Sequence, residues 1–70
     1  MERISVSSSN ISAIGYDAST ETLEVEFTNN TVYEYTGVPQ VVYEQFMNAS
    51  SHGSYFNHEI SRNYPYNKIG

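Results

Sequence analysis

The sequence predicts an α+β domain: a three-stranded antiparallel β-meander with one face covered by two C-terminal helices, in the order β-β-β-α-α. Three observations predict it. Leu23, Val25 and Phe27 alternate with Thr22, Glu24 and Glu26, the period of a half-buried strand. Turn-forming residues flank that run, at 18–21 and at 28–30. Beyond Gly37 the apolar period lengthens, so that Val38, Val42, Phe46 and Ala49 fall on one helical stripe. A sheet with one apolar face needs a cover, and these helices are the material available to supply it.

The elements follow in chain order. Residues 1–10 read as a lead-in, where Ile4 and Val6 could add a short edge strand before the Ser-Ser-Ser-Asn run breaks it. The meander occupies 11–36, with strands expected over 11–17, 22–28 and 31–36. A four-residue loop at 18–21 pairs Tyr16 with Leu23 and Ile14 with Val25, and Asp17 can bond the loop backbone. For the second hairpin, a two-residue loop would turn Glu34 inward. A three-residue loop at 28–30 instead pairs Val25 with Tyr33 and Leu23 with Tyr35, and asks Asn30 for a left-handed backbone, which Asn tolerates. Register follows the buried face, which selects the longer loop. The core face is then Ile14, Tyr16, Leu23, Val25, Phe27, Tyr33 and Tyr35, and the opposite face carries Glu24, Glu26, Glu34 and Val32. Glu24 and Glu34 become cross-strand neighbours, so that face must be wet or must meet a base.

Gly37 ends the sheet, and Pro39 suits the first turn of a helix because its missing N–H costs nothing there. Two helices are expected within 38–61. The first buries the Val38 stripe with Tyr43 and Met47 beside it, and the second, over 54–61, turns Phe56 and Ile60 inward. Residues 62–70 read as an extended tail beginning at Tyr64-Pro65-Tyr66, and the whole of 1–70 as one domain.

A chain of 70 residues buries only roughly 60% of its unfolded surface, so its stability is expected to be small. No run of about 18 apolar residues offers a membrane span. With no apolar leader in 1–10, a cytoplasmic monomer is expected. Eight acids against three bases give a net charge of −5, the wrong sign for a domain that grips nucleic acid mainly through phosphates. The charge is uneven, however. Residues 17–44 hold six acids (Asp17, Glu21, Glu24, Glu26, Glu34, Glu44) and no base, while Arg3, Arg62 and Lys68 stand at the two ends. With no cysteine, disulfides, thiolate nucleophiles and thiolate zinc sites are excluded.

Little in the chain reads as catalysis. His52 and His58 are spaced so that they would not share a helical face. Ser50, Ser51 and Ser54 adjoin His52 only by proximity in a serine-rich chain. Glu24, Glu26 and Glu34 on an open sheet would be a solvated surface rather than a general acid–base pair or a cation site, which need burial to shift their pKa values. No catalytic residue, metal site or cofactor is expected. The aromatics are the stronger candidates. Tyr55, Arg62, Tyr64, Tyr66 and Lys68 combine rings with the clustered positive charge, as a surface for RNA would. Tyr33 and Tyr35 read as core residues with hydroxyls at the rim. Glu24, Glu26 and Glu34 offer an alternative, an acidic face for a protein partner.

The ordered set Leu23-x-Val25-x-Phe27, Tyr33-Glu34-Tyr35, Val38-Pro39, Val42-Tyr43-Glu44 and Gly53-Ser54-Tyr55-Phe56-Asn57 resembles the KTSC domain. That domain is named after the C-terminus of some lysyl-tRNA synthetases and also occurs as a short bacterial or phage protein. The resemblance runs from about Ser9 to Tyr64, with the hallmark Tyr-x-Tyr at Tyr33 and Tyr35. It implies no catalytic residues and a small non-catalytic binding module associated with RNA; the acidic balance leaves any RNA site to the C-terminal basic and aromatic residues, or to a carrier protein that supplies charge.

Overall fold

Both hairpins form in the registers their turns dictate. The computed structural model describes all of Met1–Gly70. Strand β2 (Ile11–Asp17) pairs with β3 (Thr22–Phe27), placing Tyr16 opposite Leu23 and Ile14 opposite Val25. In the loop between them, Asp17 accepts from the Ser19 N–H at 3.0 Å and from its hydroxyl at 2.6 Å. These bonds to the ionised carboxylate hold the Asp17 pKa below its ordinary value. Strand β4 (Val32–Tyr35) pairs with β3 so that Val25 faces Tyr33 and Leu23 faces Tyr35. Asn30 takes the left-handed backbone at φ 71°, and Phe27 and Thr31 close the loop through a 2.8 Å bond.

The sheet has five strands rather than the expected three. The lead-in contributes β1 (Arg3–Ser5) and the tail contributes β5 (Tyr66–Lys68). The spatial order is β1-β2-β3-β4-β5, antiparallel throughout. The first is the short edge strand that Ile4 and Val6 allowed; the second stands where a tail is expected, and both are exposed at every residue, so burial does not mark them. What makes them strands is the ladder: Val6 donates to Ser12 at 3.1 Å, and Ile69 donates to Val32 at 2.8 Å.

Helix α1 (Gln40–Met47) begins one residue after Pro39, which stands outside the helix and lends its carbonyl to Val42 at 3.0 Å. The second helix starts at His52, two residues before the expected 54. Helix α2 (His52–Tyr55) is capped by Ser51, whose hydroxyl oxygen accepts from the Ser54 N–H at 3.2 Å. It then widens into a π-helical turn (Phe56–Ile60), closed by Ser61 donating to Phe56 at 2.9 Å.

The helices cover one face of the sheet. Ile11, Ile14, Leu23, Val25, Val38, Phe46 and Ile60 are fully buried, with Tyr35 and Phe56 nearly so. Tyr16, Phe27 and Tyr33 pack against them half-buried. Ile11 joins this core because an irregularity between Ile11 and Ala13 breaks the period of two, which lets Ile11 and Ile14 point the same way. Val38 is tied to the first hairpin twice. Its N–H donates to Glu21 at 2.9 Å, and its carbonyl accepts the Tyr16 hydroxyl at 2.5 Å. The Tyr16 ring stacks on Tyr43, centroids 4.7 Å apart, so the loop before α1 and α1 itself are clamped to β2. No helix is long and apolar enough to cross a membrane.

Candidate nucleic-acid interface

Because side chains alternate along a strand, β5 sends Tyr66 and Lys68 to the side of the sheet that faces the helices. Their cross-strand partners there are Tyr35 and Tyr33. The Tyr66 ring lies 5.8 Å from both the Tyr33 and the Tyr35 centroids. Phe27 closes the arrangement, 5.9 Å from Tyr33 and 5.4 Å from Phe56, and Phe56 is 5.4 Å from Tyr35. Phe27, Tyr33, Tyr66, Tyr35 and Phe56 thus form a closed circuit of rings, several at the edge-to-face angles that aromatic quadrupoles favour. The circuit runs from core to solvent. Tyr35 is 5% exposed and Tyr66 58%. Burial, with the nearby phenols of Tyr33 and Tyr66, pushes the Tyr35 hydroxyl up to about 12.

The candidate residues do not all come together. Tyr33, Tyr66 and Lys68 share the open rim of the circuit, and Tyr35 lies beneath it. Arg62 sits in the exposed turn between the π-helical turn and β5, without an ion-pair partner. Tyr64 packs half-buried against the core. Tyr55 stands on the helical layer instead, its ring stacked on Phe46 at 5.8 Å and its hydroxyl donating to Gln45 Oε1 at 3.1 Å. Burial, then the charges of Glu59 and Tyr64, raise the Tyr55 pKa.

The carboxylates of Glu24, Glu26 and Glu34 occupy the other face of the sheet, and Glu24 is opposite Glu34 as the register requires. The base that meets them comes from the chain itself. Arg3 lies on β1, with its Nη1 2.8 Å from Glu24 and its Nε 3.5 Å from Glu26. Gly15 makes this reach feasible, since it leaves the Arg3 stem room to cross β2. Glu34 keeps no ion-pair partner. In the sequence Arg3 reads only as a base near the chain's end; the pairing of β1 with β2 is what brings it to these carboxylates.

The histidines have local roles. His52 donates from Nε2 to the Met47 carbonyl at 3.3 Å and meets the edge of Phe46. His58 donates from Nδ1 to the Ser54 carbonyl at 2.8 Å. The three serines near His52 do not form a nucleophile–base pair with it, since Ser51 caps α2 and the His52 ring is engaged with Met47.

Comparison with known proteins gives the same picture over most of the length. An uncharacterised protein of Stutzerimonas stutzeri is 39% identical over 57 residues, covering 81% of this chain and 80% of that one. A lysine–tRNA ligase of Nostoc sp. is 39% identical over 59 residues, 84% of this chain but 10% of the ligase. A second such ligase, from Trichormus variabilis, is 41% identical over 54 residues, again 10% of its length. Against the ligases the chain therefore spans a tenth of the relative. Among solved structures, a KTSC domain protein from Yersinia pestis is 40% identical and superimposes with a TM-score of 0.96, covering 99% of this chain and 97% of that one. The KTSC family model matches residues 7–64, which include both hairpins, both helices and the Tyr33-x-Tyr35 pair at the centre of the ring circuit, and on that match the chain belongs to the KTSC domain family.

Proposed function

We propose that this domain is a non-catalytic module that binds single-stranded RNA at the rim formed by Tyr33, Tyr66 and Lys68, with Arg62 adding charge. The observation that carries the reading is the separation of charge by strand parity. The unpaired Lys68 and the exposed Tyr66 ring belong to the rim and the unpaired Arg62 lies in the turn that leads toward β5, whereas Glu24, Glu26 and Glu34 sit behind the sheet, two of them engaged by Arg3. The net charge of −5 therefore does not describe the surface that a strand would meet. Relatives that are lysine–tRNA ligases by name support a setting near tRNA.

The chemistry asks little of the protein. A base stacked on an exposed ring is worth about 1–3 kcal/mol. Neutralising two phosphates gives a salt slope of about −1.4 in log affinity against log salt for a single strand. Affinity is accordingly modest, and greatest when the domain is carried by a larger RNA-binding protein. The acidic outer face is the weaker interface, because Arg3 already holds two of its three carboxylates.

An amide-shift titration with single-stranded RNA and with tRNA at low salt tests the reading. Shifts centred on Arg62, Tyr66 and Lys68 that fade with salt are expected. Tyr66→Ser should remove most of the binding, and Lys68→Gln should flatten the salt slope by about half. A flat response at low salt, where phosphate contacts are strongest, refutes it.

A further inference from the structure

The helical layer holds an open cleft of about 570 Å³, between the end of α1 and the α2–π-turn segment. Gln45, Ser50, Ser54, Tyr55, His58 and Glu59 line it. It is remote in function from the aromatic rim: no residue of that rim borders it.

Its polar groups are unequal in kind. No lysine or arginine borders the cleft, Glu59 contributes a carboxylate, and the C-terminal, partially negative end of α1 abuts it through Gln45 and Ala49. An anion is therefore the wrong guest. Tyr55 is held in place from two sides, by the parallel Phe46 ring at 5.8 Å and by the bond to Gln45 Oε1 at 3.1 Å. A ring fixed in this way presents a negative face at no further cost in side-chain ordering. His58 commits Nδ1 to the Ser54 carbonyl at 2.8 Å, which leaves Nε2 of the neutral ring as an acceptor. The Ser50 and Ser54 hydroxyls add acceptors that no other side chain uses. The helix also departs from α geometry here. The π-helical turn carries both His58 and Glu59, and such turns concentrate at binding sites.

We propose that this cleft binds an alkylammonium group, through the Glu59 carboxylate, the His58 Nε2 and the face of Tyr55. An ammonium head has three donors and no acceptor, which complements a site rich in acceptors and poor in cations, and its alkyl stem lies along Tyr55 and Ala49. The same head is carried by a free diamine and by a lysine side chain of a partner protein, and the site recognises what the two share.

The experiment is an amide-shift titration of the full chain with putrescine, with N-acetyl-lysine methylamide, and with 1,4-butanediol and inorganic phosphate as controls. Saturable shifts confined to 50–54 and 58–59, at about 10 mM ligand, are expected for the amines and not for the controls. Binding of both amines marks a generic ammonium site; binding of the lysine derivative alone assigns the cleft to a protein lysine, and binding of putrescine alone assigns it to a free amine. Glu59→Gln should weaken binding about fivefold. The Glu59 side chain makes no bond that the fold uses, since only its carbonyl accepts from Asn63. Tyr55→Leu should weaken binding about threefold, and Tyr55→Phe, which keeps the ring and its stacking on Phe46 but loses the bond to Gln45, should weaken it less. Equal shifts with butanediol, shifts with phosphate, no effect of Glu59→Gln, or non-saturating shifts spread over all the carboxylates would each overturn the proposal.

Discussion

Replacing Gly15 with alanine sets two effects of opposite sign against each other. Gly15 lies in the middle of β2 and is buried. Its backbone is ordinary extended strand, so the usual gain from removing a glycine applies, about 0.4–1 kcal/mol through the unfolded chain. Against that, a methyl at this position would stand 2.9 Å from the Glu2 carbonyl oxygen and 3.0 Å from Arg3 Cγ. The first of these is backbone and cannot rotate away. Overpacking of this kind costs about 1–3 kcal/mol, and displacing Arg3 forfeits its pairing with Glu24 and Glu26, worth up to about 1 kcal/mol for partly exposed ions. The clash wins, but its cost is bounded. β1 has three residues, all exposed, and can lift from β2 without opening the core. The expected result is a net loss of about 1–2 kcal/mol, localised to β1. Amide exchange measures it: the Val6 N–H, bonded to Ser12 at 3.1 Å in the native chain, should lose protection, while amides of β3 keep theirs. Unchanged or improved stability with Val6 still protected would refute the close-approach argument. Arg3→Gln separates the ion pair from the clash, since it should cost less than half as much.

Three further outcomes follow from the packing. Phe46→Ala should cost about 3–5 kcal/mol, much of the roughly 4–10 kcal/mol available to a domain of this size, and denaturant unfolding followed by circular dichroism would show it. Tyr16→Phe removes the bond to the Val38 carbonyl and leaves a buried acceptor, a loss of about 1–2 kcal/mol in the same assay. Stability should fall at both ends of the pH range. The Tyr35 hydroxyl is pushed up to about 12 by burial, so its contribution is whole below pH about 10 and is lost as pH climbs toward 12. Asp17 is lowered, so its contribution is whole above pH about 4 and is lost as the carboxylate protonates in acid. Thermal melts across the range, with tyrosinate absorbance on the alkaline side, check both limbs.

Much of the fold was legible because short-range chemistry and the buried face agreed. The choice of a three-residue loop at 28–30 rested on keeping Glu34 out of the core, and the pairing of Val25 with Tyr33 and the left-handed Asn30 follow from it. The stripe Val38, Val42, Phe46 likewise marks α1. Of the two edge strands, β1 was legible only as a possibility, from Ile4 and Val6, and β5 not at all: Arg3–Ser5 and Tyr66–Lys68 bury nothing, and β5 finds its partner only after both helices have returned the chain to β4. Tyr64-Pro65-Tyr66 reads locally as a terminator, and only tertiary pairing makes it the entry to a strand. Ile11 was missed from the core face because an irregularity in β2 is silent in the residue pattern. Gly53 lies inside α2, where a side chain would meet Asn10 Oδ1 at 2.8 Å. Of the site, sequence proximity grouped five C-terminal residues; three-dimensional parity divided them, leaving Tyr66 and Lys68 with Tyr33 and moving Tyr55 to the cleft. The cleft is lined wholly from residues 45–59, yet it exists only once the turn after α1 sets α2 against its end, which the residue pattern does not reveal.

The place of β5 at the outer edge of the sheet makes the aromatic rim conditional. Three exposed residues and one flank of hydrogen bonds hold this strand, and its local opening costs far less than global unfolding. Each opening dismantles the rim, carrying Tyr66 and Lys68 away and baring Tyr35 and Phe56. Any ligand that grips Tyr66 and Lys68 therefore works as a latch: it draws on the closed population alone, slows hydrogen exchange along β4 and β5, and keeps covered an apolar surface that would otherwise be intermittently sticky.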